Sequence, residues 1–304
     1  MTGQAQTHFS IVIPTYNRAP ELDRAIRSVL AQTFESYELI VVDDGSSDGT
    51  AAMIRDRFGD QVVLIEAPNR GAGAARNAGI ERATGDYIAF LDSDDEALAS
   101  WLEELSQATG RETGLVTCGC VKRYHDGAEK RVLPRVQGPE LEGVRAQFLA
   151  GCYAVRATTL RDVGGFVADL AAAQHTELAL RLVPALRQRH EAIAVVDQPL
   201  VRVNVQSARP SIRANDRAVL AGAEYLLANH EDLLARDPRR LADSHSVAAV
   251  RAARLGQYGR ALRHFAHAAG ADRRSPKRWA RLLVSATPML RTLVWRPRPH
   301  RTEA

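Results

Sequence analysis

The stretch that decides the fold is Phe9-Ser-Ile-Val-Ile-Pro-Thr-Tyr-Asn-Arg-Ala-Pro-Glu-Leu-Asp-Arg-Ala-Ile-Arg-Ser-Val-Leu30. Its first six residues, Phe9 to Pro14, are a short apolar run suited to a parallel strand buried on both faces. After Pro14 the chain turns, and Asn17 to Pro20 opens a helix. In that helix Leu22, Ala25, Ile26, Val29 and Leu30 recur on one face at helical spacing. One strand followed by one amphipathic helix is half of a βαβ unit.

Working outward, the same unit repeats. Tyr37 to Val42 reads as a second strand, ending in Asp43-Asp44-Gly45-Ser46-Ser47-Asp48. Ser47 or Asp48 can cap the next helix, which carries Met53, Ile54 and Phe58. Gln61 to Glu66 is a third strand, followed by a Gly- and Ala-rich helix from Gly71 to Ala83. Asp86 to Leu91 is a fourth, running straight into Asp92-Ser93-Asp94-Asp95. A fifth, Gly114 to Tyr124, turns at His125-Asp-Gly127 into a returning partner. Strands separated by helices of this length make right-handed crossovers, so the fold class is a layered α/β sheet.

Beyond Gly151 the pattern changes. Short strands at Cys152 to Arg156, Ala192 to Val196 and Leu200 to Val205 surround a helix from about Thr176 to Gln188. From Ile212 onward the chain reads as helices alone. Ala252, Leu255, Gly256, Tyr258, Ala261, Leu262 and Phe265 mark one antiparallel helix pair turning near Gln257. A single such pair is too little for a repeat array. The expected division is a sheet domain over residues 1–210 and a helical extension over 211–304.

The 304 residues are 45% hydrophobic and 25% charged, which excludes a mainly disordered chain and a collagen-like repeat. No apolar run has the length of a membrane-spanning helix. The polar start, Met1 to His8, lacks the apolar core of a signal peptide, so a cytoplasmic protein is expected. Three cysteines, Cys118, Cys120 and Cys152, are too few for a disulfide framework and are read as buried free thiols. The net charge of +4 says little, but its distribution says more. From Asp272 to Ala304, nine basic residues (Arg273, Arg274, Lys277, Arg278, Arg281, Arg291, Arg296, Arg298 and Arg301) face only Asp272 and Glu303. Trp279, Leu282, Leu283, Met289, Leu290, Leu293, Val294 and Trp295 are interleaved with them. Such a tail can lie on the inner, anionic face of a membrane, form oligomer contacts or be a solvated helix face. The basic residues form no recognisable nucleic-acid-binding module, so no nucleic-acid partner is expected.

In open parallel sheets, ligands bind beyond the carboxyl ends of the strands. Here those ends carry Pro14-Thr15-Tyr16-Asn17-Arg18, Asp43-Asp44, Asn69-Arg70-Gly71 and Asp92-Ser93-Asp94-Asp95. Two carboxylates at D-x-D spacing repel and are costly to desolvate unless a cation sits between them. Mg²⁺ and Mn²⁺ take oxygen ligands of this type, completed by water and phosphate oxygens. The competing reading is that Asp94 or Asp95 caps the helix holding Leu98, Trp101, Leu102 and Leu105. The neighbouring Asp44, Arg18 and Arg70 favour the metal. A carboxylate at Asp44 matches the imide N–H of uracil or thymine, with Tyr16 near the ring, whereas Asp43 reads as turn chemistry. Arg18 and Arg70 can fork onto phosphate oxygens. Gly71-Ala-Gly73-Ala-Ala-Arg76-Asn77 departs from a dinucleotide fingerprint, because Arg76 stands where the last glycine should be.

Five segments occur in order: Ile11-Val-Ile-Pro-Thr-Tyr-Asn-Arg18, Val41-Val-Asp-Asp-Gly-Ser-Ser-Asp-Gly-Thr50, Asn69-Arg-Gly-x-Gly-x-Ala-Arg-Asn77, Gly85-Asp-Tyr-Ile-Ala-Phe-Leu-Asp-Ser-Asp-Asp95 and Gly164-Gly-Phe166. On these the chain resembles the family 2 glycosyltransferases with the GT-A fold, over roughly residues 8–205. The resemblance implies a mixed, mainly parallel sheet flanked by helices. It also implies transfer of a sugar from a nucleoside-diphosphate donor, with inversion and a divalent metal, Mn²⁺ or Mg²⁺. It places Pro14, Thr15, Tyr16, Arg18, Asp44, Arg70, Asn77, Asp92 and Ser93 on the nucleotide sugar, and Asp94 with Asp92 on the metal. The family's catalytic base is usually an Asp in an acidic pair opening the helix after Gly-Gly-Phe. Here that pair is replaced by Gln174-His175, so the base is His175, Glu177 or neither of them. The expected activity is a UDP- or dTDP-sugar-dependent glycosyltransferase acting on a glycan, lipid, peptide or metabolite. The alternative is a non-catalytic nucleotide-sugar-binding or scaffold protein of the same fold.

Overall fold

The computed structural model describes residues 6–205 and 215–295. They divide into two compact units: the described parts of Met1–Gln137, Gly143–Asp169 and Gln174–Arg209, and those of Gly138–Glu142, Leu170–Ala173 and Pro210–Ala304.

The first unit is built on a mixed sheet. In chain order its first half runs β1 (Phe9–Thr15), α1 (Ala19–Leu30), β2 (Tyr37–Asp43), α2 (Thr50–Phe58), β3 (Val63–Glu66), α3 (Ala72–Arg82) and β4 (Tyr87–Phe90). There follow β5 (Glu96–Ala97), α4 (Trp101–Ala108), β6 (Thr113–Arg123) and β7 (Glu129–Val132), then a small ribbon of β8 (Arg135–Val136) and β9 (Arg145–Ala146). The unit closes with β10 (Tyr153–Arg156), α5 (Ala157–Asp162), α6 (Gln174–Gln188) and β11 (Ala192–Asn204).

The sheet order is β3-β2-β1-β4-β10-β6-β11-β5, with β7 on β6. β1 lies between β2 and β4 and is parallel to both. The chain therefore steps outward from β1 to β3, then returns to pair on the other side of β1. That reversal creates a crevice beyond the carboxyl ends of β1 and β4. The register sets Val12 opposite Phe90, and the Leu91 N–H donates to the Val12 carbonyl at 3.1 Å. The acidic segment after β4 thus leaves the sheet beside the end of β1.

All seven β1 residues are buried, as the apolar run requires. Alternate side chains point to opposite faces. Phe9, Ile11 and Ile13 pack with Leu22, Ala25, Ile26 and Val29 of α1. Val12 packs on the other face with Ala75 and Ile80 of α3 and Phe90 of β4. Each such side chain contributes about 1.5–3 kcal/mol on full burial. The fifth strand and its returning partner form as read from the sequence, paired from Cys120–Val132 to Arg123–Glu129. Two boundaries differ. Gln61 belongs to a single 3₁₀ turn, so β3 begins only at Val63. The two strands expected at 192–196 and 200–205 are one strand, β11, whose register on β6 slips between Val195 and Val201. Pro199 has no N–H to give the ladder, and the slip absorbs that loss without ending the strand.

From residue 215 on, the described residues of the second unit are built from helices: α7 (Asp216–Asn229), α8 (Glu231–Leu234), α9 (Pro238–Arg254), α10 (Tyr258–Ala271), α11 (Pro276–Ala286) and α12 (Pro288–Val294). Asn215 caps α7 by accepting the Ala218 N–H, and Asp237 caps α9 by accepting that of Arg239. The expected antiparallel pair is α9 and α10, turning through Leu255–Gln257 with Gly256 at φ +74°. Ala248, Ala249, Ala252, Ala253, Ala261 and Ala268 are buried, as is Phe265, and small side chains of this kind let two helices approach closely. The start of the helical region at Ile212, and Arg296, Arg298, Arg301 and Glu303, lie outside the described residues.

One polar tie holds the sheet's central turn. The Glu38 carboxylate of β2 accepts from Ser10 Oγ of β1 at 2.6 Å, and from the Thr84 backbone N–H and hydroxyl, just before β4, at 2.6 and 2.7 Å. Burial pushes this carboxyl up, but those three donors and Arg82 more than offset it and leave it below its ordinary value. A lowered folded pKa gives stability that is present above the unfolded value and lost as pH falls through the folded one. Glu38→Gln should therefore lower the urea midpoint near neutrality. It should also flatten the loss of stability of the parent protein below about pH 5, read from urea unfolding as a function of pH.

Candidate active site

Three loops meet at the crevice, and side chains tie them together. Asn17, after β1, sits in the left-handed region at φ 50°, a conformation asparagine tolerates better than most residues. Its N–H donates to Ser46 Oγ at 2.8 Å, and its Oδ1 accepts the Ser47 N–H at 2.7 Å, so the β1 and β2 loops are latched. Asp43 accepts the Ser46 N–H at 2.9 Å, the turn role expected of it. Neither Ser47 nor Asp48 is the N-cap of α2: that position is Gly49, with no side-chain cap bond, and Asp48 just before it accepts the Thr50 N–H at 3.1 Å.

Asp44 is 4% exposed. One of its oxygens accepts the Arg70 N–H and the other the Gly71 N–H, both at 2.8 Å. The carboxylate expected on a nucleobase therefore first folds the loop that carries Arg70, whose own side chain is exposed. Tyr16, just past the end of β1, is 46% exposed. Pro14 is buried, and the Thr15 hydroxyl is buried at the end of β1 without a protein hydrogen-bond partner.

Asp92, Asp94 and Asp95 leave β4 together, with one oxygen of each lying within 4.8 Å of the others. Ser93 between them is buried. Neither Asp94 nor Asp95 caps α4. β5 intervenes, and the cap position is Ser100, with no side-chain bond. Each carboxylate has its own partner instead. Asp92 accepts from Arg76 Nη2 at 2.6 Å, Asp94 forms an ion pair with Arg18, and Asp95 accepts the Asn204 N–H at 2.9 Å. Asn204 Nδ2 also donates to the Asp94 carbonyl at 2.7 Å, so the end of β11 braces the acidic turn. Arg18 thus meets Asp94, not open space.

These partners do not neutralise the cluster. Burial pushes the Asp92 carboxyl up, but the neighbouring cationic side chains, Arg76 foremost, more than offset it and hold it low. Burial raises Asp94, with the Asp92 charge adding to it against Arg18. Asp95 is raised well above the carboxylate range by burial and by both neighbouring aspartates. Three hard oxygen donors at short range, two of them resisting ionisation, make a place short of positive charge. That is the donor set and field a Mg²⁺ or Mn²⁺ ion matches.

Arg76, seen in the sequence as a departure from a glycine pattern and as part of a family segment but given no role, is the connector of the site. It is 5% exposed, pairs with Asp92, donates through Nη1 to Gln174 Oε1, and lies 5.3 Å over the Phe166 ring. It therefore joins the β4 end to the start of α6. Next to Gln174, the His175 Nδ1 is 2.7 Å from the Tyr153 hydroxyl. Its ring stands edge-on to Tyr153 and Phe166. His175 Nε2 is buried without a protein partner. Burial, with Arg76 adding to it, pushes the imidazole down to about 3. Tyr153 gave no signal in the sequence beyond that of a core strand residue.

Glu177 and Asn77 both bond toward the Gly164–Phe166 segment. Glu177 is 1% exposed and clamped by Arg181, whose Nε reaches it at 2.7 Å. Arg181 goes on to the carbonyls of Val163 and, at 2.8 Å, Gly165. Asn77 donates to the Phe166 carbonyl and accepts the Phe166 N–H, both at 2.8 Å. Both residues therefore hold the Gly164-Gly165-Phe166 turn. Gly165 is required there: its φ is +63°, and an added Cβ would lie 2.6 Å from Asn77 Oδ1. Gly73 lets α3 approach the 167–168 backbone, where a Cβ would stand 2.9 Å from the Val167 carbonyl. Cys118, Cys120 and Cys152 are buried and free, as expected.

Residues 10–163 match the family model described as glycosyl transferase family 2. Glycosyltransferase AglE of Haloferax volcanii is 39% identical over 124 residues, 39% of this chain and 41% of AglE, so the match spans well under half of that relative. Among solved structures, S. aureus TarS 1-349 in complex with UDP-GlcNAc superposes with a TM-score of 0.59 at 18% identity, covering 91% of this chain and 90% of TarS 1-349. The mannosyltransferase PcManGT from Pyrobaculum calidifontis, in complex with GDP-Man and Mn²⁺, gives 0.52 at 17% identity, covering 95% and 83%. At such identities the likeness is one of fold, and the fold is GT-A. With its family model spanning half of the sequence over the strands that build the crevice, the chain belongs to glycosyl transferase family 2.

Proposed function

We propose that this protein is a metal-dependent, inverting glycosyltransferase that moves a sugar from a UDP- or dTDP-sugar to an acceptor. The observation that carries the reading is the acidic trio of Asp92, Asp94 and Asp95 at the β1/β4 crevice of a family 2 chain. Nucleotide-sugar complexes of two proteins of like fold, one also holding Mn²⁺, support it. The catalytic work is assigned to the sheet domain, residues 1–210, and residues 211–304 are an extension.

Asp94, with Asp92, would hold a divalent ion. When bound, that ion would act as a Lewis acid on the diphosphate leaving group. The chain's own groups do the rest. Tyr16 and the remaining lone pairs of Asp44 would receive the base, and Arg70 would reach phosphate oxygens. Arg18, paired with Asp94, carries a guanidinium that would also suit a phosphate oxygen. Arg76 stays on Asp92 and Gln174, keeping α6 in place against the crevice.

The acceptor hydroxyl must lose a proton. We assign this to His175: with Nδ1–H given to the Tyr153 oxygen, the lone pair of Nε2 is free to take it. Glu177 is the poorer base, since Arg181 engages both of its oxygens. An imidazole pushed down to about 3 stays in its accepting form throughout the working range, but its basicity is weak. That weakness also favours the second reading, a nucleotide-sugar-binding protein that has lost its base. Slow hydrolysis of a UDP-sugar without acceptor distinguishes the two, because the second reading predicts none.

Asp94→Ala should retain cooperative unfolding but weaken Mn²⁺-supported UDP binding roughly tenfold or more by titration calorimetry. Unchanged affinity would remove Asp94 from the metal site. His175→Ala should cut kcat roughly a hundredfold while leaving UDP affinity within about twofold. The parent rate should show no acid limb near an ordinary histidine pKa, because His175 stays neutral there. An unaltered kcat in His175→Ala would clear His175 of the role.

A further inference from the structure

Among the described residues, the last two helices present a set of exposed apolar side chains. α12 is fastened through Trp295, which stacks on Phe265 at 5.4 Å, and Arg291, which lies 4.4 Å over Tyr258. At helical spacing, Met289 and Leu293 fall opposite Arg291, with Leu290 and Val294 beside them. These four are 78%, 56%, 45% and 54% exposed. On α11 the inward residues are Arg278 and Ser285, both buried. Arg278 pairs with Asp272 and Asp243 at 2.9 and 3.1 Å. Trp279 and Leu283, one turn apart, are 43% and 67% exposed. The Trp279 indole N–H is satisfied by the Arg273 carbonyl at 3.0 Å, so its ring can lose water without stranding a donor.

Charge says what covers this face. Residues 273–295 contain no Asp or Glu. Asp272, the nearest acid, is consumed by Arg278. Arg273, Arg274 and Lys277 are exposed at the start of α11, and Arg281 lies one turn beyond Lys277. A purely polyanionic partner would leave the six apolar side chains in water, and an uncharged apolar partner would leave the cations unmatched. We propose that α11 and α12 dock on an anionic lipid surface. Trp279, Leu283, Met289, Leu290, Leu293 and Val294 enter the headgroup–acyl boundary, and the basic residues meet lipid phosphates. No helix among the described residues is long and apolar enough to cross a membrane, so the attachment is in the plane of the surface.

The test is flotation of the full chain with phosphatidylcholine vesicles made with or without phosphatidylglycerol. Binding should require phosphatidylglycerol. It should fall about thirtyfold in Lys277→Gln/Arg281→Gln, two charges removed, and at least about tenfold in Leu283→Gln/Leu293→Gln. Lys277, Leu283 and Leu293 are exposed and Arg281 is half-buried, so circular dichroism and the unfolding midpoint should match the parent. Failure to float with anionic vesicles, or flotation indifferent to the leucine changes, overturns the proposal. So does a dimer in light scattering that the leucine changes dissociate, since a second copy would then cover the face.

Discussion

Three carboxylates held within 4.8 Å of one another at the end of a buried strand are the constraint around which the rest of the site is arranged. Like charges at that range, partly out of water, cannot all ionise without compensation. The protein supplies two guanidiniums and one backbone N–H, each from a different element: Arg18 from the β1 loop, Arg76 from α3 and Asn204 from β11. The balance still falls short, since Asp94 and Asp95 remain raised. Leaving charge uncompensated in a folded protein costs stability. Binding sites tolerate that cost because a ligand can cancel it.

The same arginines organise what surrounds the acids. Arg76 reaches Asp92 on one side and Gln174 on the other, while its plane covers Phe166. The Gly164-Gly165-Phe166 turn is then fixed from two further directions, by Asn77 and by the Glu177–Arg181 pair. His175 inherits its position from this framework, with Tyr153 beneath it. Asn77 and the Glu177–Arg181 pair both brace that turn. The physical reason is that a turn with two glycines at positive φ has little preference of its own and must be held by side chains.

Much was legible from the sequence. The β1–α1 run, with seven buried strand residues and a one-sided helix, has a periodicity that only a two-layer burial satisfies. The Asp43 turn, the D-x-D cluster and the α9–α10 pair were likewise readable, because each depends on chemistry within a few residues. Arg18 on Asp94, Asp44 on the 70–71 backbone and Asn77 on Phe166 were not, since their partners lie 76, 26 and 89 residues away. A side chain capable of holding a phosphate is equally capable of holding a carboxylate or a peptide. Composition does not say which arrives.

By itself the sequence determined the alternation of strands and helices, the family, the rim on which the polar residues gather and the charge of the tail, all properties of local pattern. The tertiary structure decided the order β3-β2-β1-β4, and with it which loops share the crevice. It also decided which carboxylate each arginine meets, that Glu177 is sealed in and that His175 keeps one nitrogen unpaired. Pairing, desolvation and orphaned polar atoms arise only when distant segments are brought into contact, because burial is a property of the assembled neighbours and not of the residue buried.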